Sequence, residues 1–295
     1  MTNQPIFTGA ATALITPLNA YGVDFEKMGK LIDWQIEKGI DALVIAGTTG
    51  EGSTLSDEEH RAVLKFSAER INGRVPMIAG TGSNDTAYAI ELSRYACAVG
   101  ADALLVVTPY YNKTTQNGLV AMFNAIADSV DKPLILYNIP TRTNLNIEPE
   151  TYVKLAQHPN IRAIKEANGN ISKIVETFAL VGDKLDMYSG DDDQVVPILS
   201  MGGAGVISVL SNLLPTETSE MCKKFFRGDV KGSADMQCHY LPLINALFSE
   251  TNPVPIKAAM AELGWCENYV RLPLIPMEQA HKEKLFALMR AENLI

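Results

Sequence analysis

The chain has 295 residues, 47% hydrophobic and 20% charged, with a net charge of −9. That balance supports a large core and excludes a disordered or low-complexity chain, and the excess of carboxylates, with no run of Lys or Arg, argues against a protein that neutralises nucleic-acid phosphates. The length would divide into two domains on average, yet single α/β barrels commonly occupy it.

At the N-terminus, residues 1–7 lack the basic start and apolar stretch of a secretory signal. No uninterrupted apolar run is long enough for a bilayer, so a cytoplasmic protein without membrane or nucleic-acid partners is expected. Short runs rich in Val, Ile, Leu and Ala then alternate with amphipathic stretches of helical length, the pattern of repeated βα units. Strands are expected at 11–15, 42–46, 76–79, 103–107, 134–137, 163–165, 185–189 and 205–209. Eight such runs are what a closed (β/α)8 TIM barrel requires. Ser56-Asp57-Glu58-Glu59 opens a helix as a capping box, while Gly39 and Gly100 each end one shortly before a strand. An open doubly wound sheet would need a Gly-rich phosphate turn after its first strand, and the segment from Ala13 to Pro17 offers none. After about Pro215 the strand runs stop and helical patterns continue at 241–248, 255–263 and 276–290. The expected organisation is therefore a barrel over 1–214 and a helical extension over 215–295 packed on it. The four cysteines (Cys97, Cys222, Cys238, Cys266) form no CxxC pair and read as buried free thiols in helical segments.

In such a barrel the reacting groups stand at the C-terminal strand ends and in the loops that follow. Lys165 ends the sixth run and should point into the barrel mouth, where lost hydration lowers its pKa and frees a neutral amine to attack a carbonyl. The plain alternative is a lysine paired with a neighbouring carboxylate such as Glu166. Tyr137 ends the preceding run beside it, as a proton donor and acceptor that needs further hydroxyls to relay its proton, and Thr48 and Tyr111 offer them. The segment Gly47-Thr48-Thr49-Gly50-Glu51-Gly52 combines hydroxyls with backbone N–H groups in a turn suited to a small carboxylate, and it is not a Walker loop. Asp191-Asp192-Asp193 reads as a helix start whose carboxylates complement the helix dipole. His60, His158, His239 and His281 show no metal spacing, so neither a metal nor a cofactor is expected.

Five of these segments, 47–51, 107–111, 137–143, 164–167 and 189–192, together resemble the dihydrodipicolinate synthase and N-acetylneuraminate lyase superfamily, in order and in spacing from near the N-terminus to the last helices. The resemblance implies a class I aldolase-type lyase. Lys165 would form the pyruvate Schiff base, Tyr137 would shuttle protons, and Thr48 and Tyr111 would complete the relay, with Tyr111 reaching a neighbouring subunit's site. Thr49 would hold the pyruvate carboxylate, while Gly190 and Ile207 would line the pocket. Arg142 implies the synthase branch, since a guanidinium there suits the carboxylate of aspartate semialdehyde. The resemblance also implies a homotetramer built as a dimer of dimers and a lysine-binding cleft drawing on Asn84, Tyr110 and His60. Tyr88 and Asp57 depart from the regulated pattern there, so weak feedback by lysine is expected. The competing readings are a sugar-acid lyase acting on N-acetylneuraminate or a 2-keto-3-deoxy acid, and a barrel that binds a small molecule without turnover.

Overall fold

A computed structural model of the protein describes residues 4–295, so part of the N-terminal segment read for a signal lies outside the described residues. Eight parallel strands close into one barrel: β1 (Gly9–Ala13), β2 (Ala42–Ile45), β3 (Met77–Gly80), β4 (Ala103–Val107), β5 (Leu134–Asn138), β6 (Ile161–Glu166), β7 (Asp186–Ser189) and β8 (Gly205–Ser208). Each expected run forms one of them. The first strand ends earlier than expected because its last residues leave the sheet to build the mouth. The Ile15 amide donates to Asn212 Oδ1 at 3.0 Å, and the Thr16 hydroxyl donates to the Gly50 carbonyl at 2.7 Å.

Side chains alternate across each strand, as the pleat requires. Ile135 and Tyr137 of β5 and Ala163 of β6 face the barrel interior, while Leu134, Leu136 and Ile164 pack outward against the helices. Lys165 is therefore inward and Glu166 outward. The interior is lined largely by alanines (Ala11, Ala13, Ala42, Ala103, Ala163), and it is closed toward the N-terminal end by Tyr188, whose ring stacks on Phe7 at 4.2 Å. The Tyr188 hydroxyl donates to the Phe7 carbonyl at 2.8 Å, so this large side chain is buried with its polar end satisfied.

The helix ends follow the sequence signals. Helix Asp57–Ile71 starts with a complete capping box between Ser56 and Glu59. Gly39, with φ +83°, follows helix Phe25–Glu37, and Gly100 takes the left-handed C-cap of helix Thr86–Val99. The segment read as an extension forms helices Pro215–Phe226, Val230–Leu247, Val254–Glu262 and Gln279–Ala291. The first of these packs on β1, so the ring of helices around the barrel reaches into that segment. Chain 248–252 then runs over the mouth.

Two readings of local chemistry are corrected. Cys222 and Cys266 are buried, but Cys97 is only partly so and Cys238 is exposed on the outer face of Val230–Leu247, while Cys266 lies in a turn rather than a helix. The acidic run does open a helix, a 3-10 turn at Asp192–Gln194 leading into helix Val195–Ser200, but Asp191 at its N-terminus makes no side-chain cap. Instead buried Asp192 accepts from the amides of Val209 and Leu210 at 3.0 and 2.9 Å, clamping the loop after β7 to the loop after β8.

Candidate active site

Lys165 and Tyr137 are register partners on adjacent strands, and the lysine Nζ lies 4.1 Å from the centre of the tyrosine ring. Lys165 is only 5% exposed. Burial among apolar groups brings its pKa down to about 8, against the opposing pull of the Asp191 and Asp192 carboxylates. Glu166 takes no part in this, because it faces the other side of the strand. It accepts from Asn138 Nδ2 at 2.9 Å and from the Tyr152 hydroxyl at 3.1 Å, and burial pushes its carboxyl up to about 8. The strand-end pairing of Lys165 with Glu166 is thus absent.

Burial also pushes the Tyr137 phenol upward, while the positive charge of Arg142 and a hydrogen bond with Thr48 act the other way. The neutral phenol is therefore its resting form, with Thr48 within reach of its oxygen. Gly190 has no room for a side chain, as a Cβ there would stand 3.1 Å from Lys165 Cε and 2.8 Å from Ala167 Cβ. Ile207 is buried on the inward face of β8. Tyr111 is not brought to this cluster. A left-handed backbone kink, φ +68°, turns it outward, and it is 93% exposed.

Two cavities open at the mouth. One, of about 360 Å³, is lined by Thr48, Tyr137, Ile139 and Arg142, and Lys165 Nζ lies 4.1 Å from the Tyr137 ring. The other, of about 470 Å³, is lined by Arg142, Asp191, Phe248 and Asn252. Arg142, on the short helix Pro140–Thr143 after β5, borders both. Its Nη2 donates to the Asn252 carbonyl at 2.9 Å, and Asn252 Nδ2 donates to Thr49 Oγ1 at 2.9 Å. The buried turn around Thr49 is tight, with the Gly52 amide donating to the Gly47 carbonyl at 3.1 Å, and a Cβ on Gly52 would lie 2.3 Å from the Ala46 carbonyl oxygen. Asn252 and the charge of Asp191 beside Lys165 escaped the sequence reading. Asn252 lies 203 positions from Thr49, and no periodicity reports such a contact.

His60, Tyr88 and Tyr110 line the far side of the smaller cavity. His60 is buried, shares a hydrogen bond of 3.0 Å with the Gly80 carbonyl, and has its pKa lowered by burial. Asn84 donates to the Tyr110 carbonyl at 3.2 Å. The Tyr88 hydroxyl donates to Asp57 at 3.0 Å, and Asp57 also pairs with Arg61 at 2.8 Å. Burial and that carboxylate push Tyr88 up to about 12.

The sequence profile of the Dihydrodipicolinate synthetase family matches residues 6–292. The chain belongs to that family. A 4-hydroxy-tetrahydrodipicolinate synthase of Thermoanaerobacter sp. (strain X514) is 50% identical over 293 residues, covering 99% of each chain. Two solved members of the dihydrodipicolinate synthetase family are equally extensive matches. A chloride-inhibited enzyme from Acinetobacter baumannii, complexed with pyruvate, is 42% identical with a TM-score of 0.95 and covers 98% of this chain and 99% of its own. One from Cyanidioschyzon merolae with lysine bound is 39% identical, also with a TM-score of 0.95, over 99% and 100% of the two chains.

Proposed function

We infer that the chain is a class I aldolase-type lyase with 4-hydroxy-tetrahydrodipicolinate synthase activity, condensing pyruvate with L-aspartate 4-semialdehyde in lysine and diaminopimelate biosynthesis. The observation that carries the chemical reading is a buried lysine amine, brought down to about 8, directly beneath a neutral phenol. The neutral Lys165 amine adds to the pyruvate carbonyl, and loss of water gives the imine. Tyr137, backed by Thr48, supplies and recovers the proton at the carbonyl oxygen. Loss of a methyl proton turns the imine into an enamine, whose carbon bonds to the aldehyde carbon of the second substrate. That substrate's amine then displaces Lys165 from the imine carbon and closes the ring. The protonated imine formed on Lys165 serves as the electron sink when the methyl proton is lost, so the reading assigns no cofactor and no metal.

Thr49 and the amides of its turn are assigned to the pyruvate carboxylate, with Gly190 and Ile207 lining the pocket and Arg142 holding the carboxylate of the aldehyde substrate. Tyr111 is assigned to the site of a second copy, which fits its outward placement, and makes the active unit at least a dimer within a homotetramer. No helix among the described residues is long and apolar enough to cross a membrane, and the proposed location is the cytoplasm. The test is to mix the protein with pyruvate and borohydride and weigh it. One covalent pyruvate adduct per chain is expected, and an unmodified mass would overturn the reading.

Arg142→Ala should leave that adduct intact while the aldehyde is used poorly. Loss of a charge-assisted contact to a carboxylate costs about 2 kcal/mol, or roughly thirtyfold. Steady-state kinetics with varied aspartate semialdehyde measure it, and an unchanged kcat/KM would refute the assignment.

Feedback by lysine should be weak or absent. The cleft that holds His60 and Tyr110 presents the neutral Tyr88, and its neighbouring carboxylate, Asp57, is already engaged by Tyr88 and Arg61. An α-ammonium buried there lacks a free counter-charge. An activity titration with lysine decides the point, since cooperative inhibition below millimolar lysine would show Asp57 to be available after all.

A further inference from the structure

The turn Gly47–Gly52 receives its strongest anchor from far along the chain. The Glu51 carboxylate, buried and on a left-handed backbone (φ +55°), pairs with the ammonium of Lys257, which is wholly buried inside helix Val254–Glu262. The other oxygen of Glu51 accepts from the Arg271 amide at 3.2 Å. Arg271 in turn donates to the Thr54 carbonyl at 2.8 Å and to Glu59 at 2.5 and 2.6 Å. Five residues before Lys257, Asn252 holds Thr49 itself.

A buried ion pair is a poor way to gain stability, because desolvating both charges offsets most of their attraction, and apolar replacements of similar volume are often at least as stable. Burial indeed lowers the Lys257 pKa, opposed by Glu51. What the pair does supply is geometry. Glu51 lies between Thr48-Thr49 and Gly52, and its amide closes the turn on the Thr48 carbonyl at 3.1 Å. Fixing the Glu51 carboxylate at both oxygens fixes the strained residue that sets where Thr48 and Thr49 point.

We propose that Lys257 and Glu51 are positioning residues for pyruvate: the helical extension, through this pair, holds the Gly47–Gly52 turn in the shape that binds the pyruvate carboxylate. The proposal rests on the function inferred above. Neither residue touches the reacting atoms, and the pair acts on pyruvate binding rather than on the imine chemistry of Lys165 and Tyr137.

The decisive variant is the double replacement Glu51→Leu with Lys257→Met, which removes both charges without leaving either one alone. It is expected to stay folded, with a melting temperature at or above that of the native protein. The pyruvate concentration giving half-maximal borohydride trapping should rise at least tenfold, while the extent of trapping at saturating pyruvate and the KM for aspartate semialdehyde stay close to native. Glu51→Gln, which keeps a hydrogen bond to Lys257, should show a smaller rise and serves as the conservative comparison. A folded double variant with native half-saturation by pyruvate would overturn the proposal, as would a loss spread equally over both substrates. If the native protein forms no adduct at any pyruvate concentration, the functional reading fails and this inference with it, whereas a native adduct with unchanged half-saturation in the variant sinks this inference alone.

Discussion

Lys165→Ala is expected to abolish both borohydride trapping of pyruvate and turnover. Among the described residues no other amine is placed to substitute: Lys257 also lies buried near the mouth, but its ammonium is held by Glu51 and belongs to the support of the Gly47–Gly52 turn. The same assignment fixes a pH dependence. Only the unprotonated amine attacks a carbonyl, and Lys165 is brought down to about 8 by burial. Below that pH the reactive fraction falls about tenfold per unit, and above it the fraction levels off. The rate of imine formation with pyruvate should therefore climb with pH and reach a plateau above about pH 8, where an ordinary exposed lysine would still be almost wholly protonated. Rapid-mix trapping across pH 6 to 10 measures the profile, and an inflection near 10.5 or an adduct on the Ala variant would move the chemistry elsewhere.

The barrel was legible because its strands are short apolar runs and its helices carry their own stop and start signals. Ser56 with Glu59, and Gly39 and Gly100, mark boundaries by local hydrogen bonding and backbone freedom alone. The inward direction of Lys165 was legible for a similar reason: strand alternation is a period-two rule that Ala163 and Ile164 make readable. What stayed hidden depends on contacts between distant segments. Asn252, Lys257 and Arg271 reach the second-strand turn across more than 200 positions, and none belongs to a local pattern. The acidic run 191–193 was legible only in part for a related reason. It does open a helical segment, as its local pattern suggests, but the partners of the Asp192 carboxylate are the amides of Val209 and Leu210 on the next loop. Tyr111 stands in solvent, so the cluster at Lys165 and Tyr137 gives no local account of it.

Tyr137→Phe should lower kcat by about a hundredfold or more, the range expected when a positioned proton carrier is lost, while pyruvate binding changes little. The substitution is informative because it separates the ring of the tyrosine from its hydroxyl. Its ring covers Lys165 at 4.1 Å and forms the wall of the smaller cavity, and phenylalanine keeps that ring. The apolar setting that lowers the lysine pKa is therefore retained, and the pH at which imine formation levels off should stay near 8. Its hydroxyl is what disappears, and with it the link to Thr48. The variant should thus form its pyruvate adduct slowly but completely, at a half-saturating pyruvate concentration within a few-fold of native. Thr48→Val, which removes the partner and leaves the phenol, should produce a loss in the same direction but smaller. If Tyr137→Phe turns over at the native rate, the proton passes by water or another group, and Tyr137 serves only as a hydrophobic cover for the lysine.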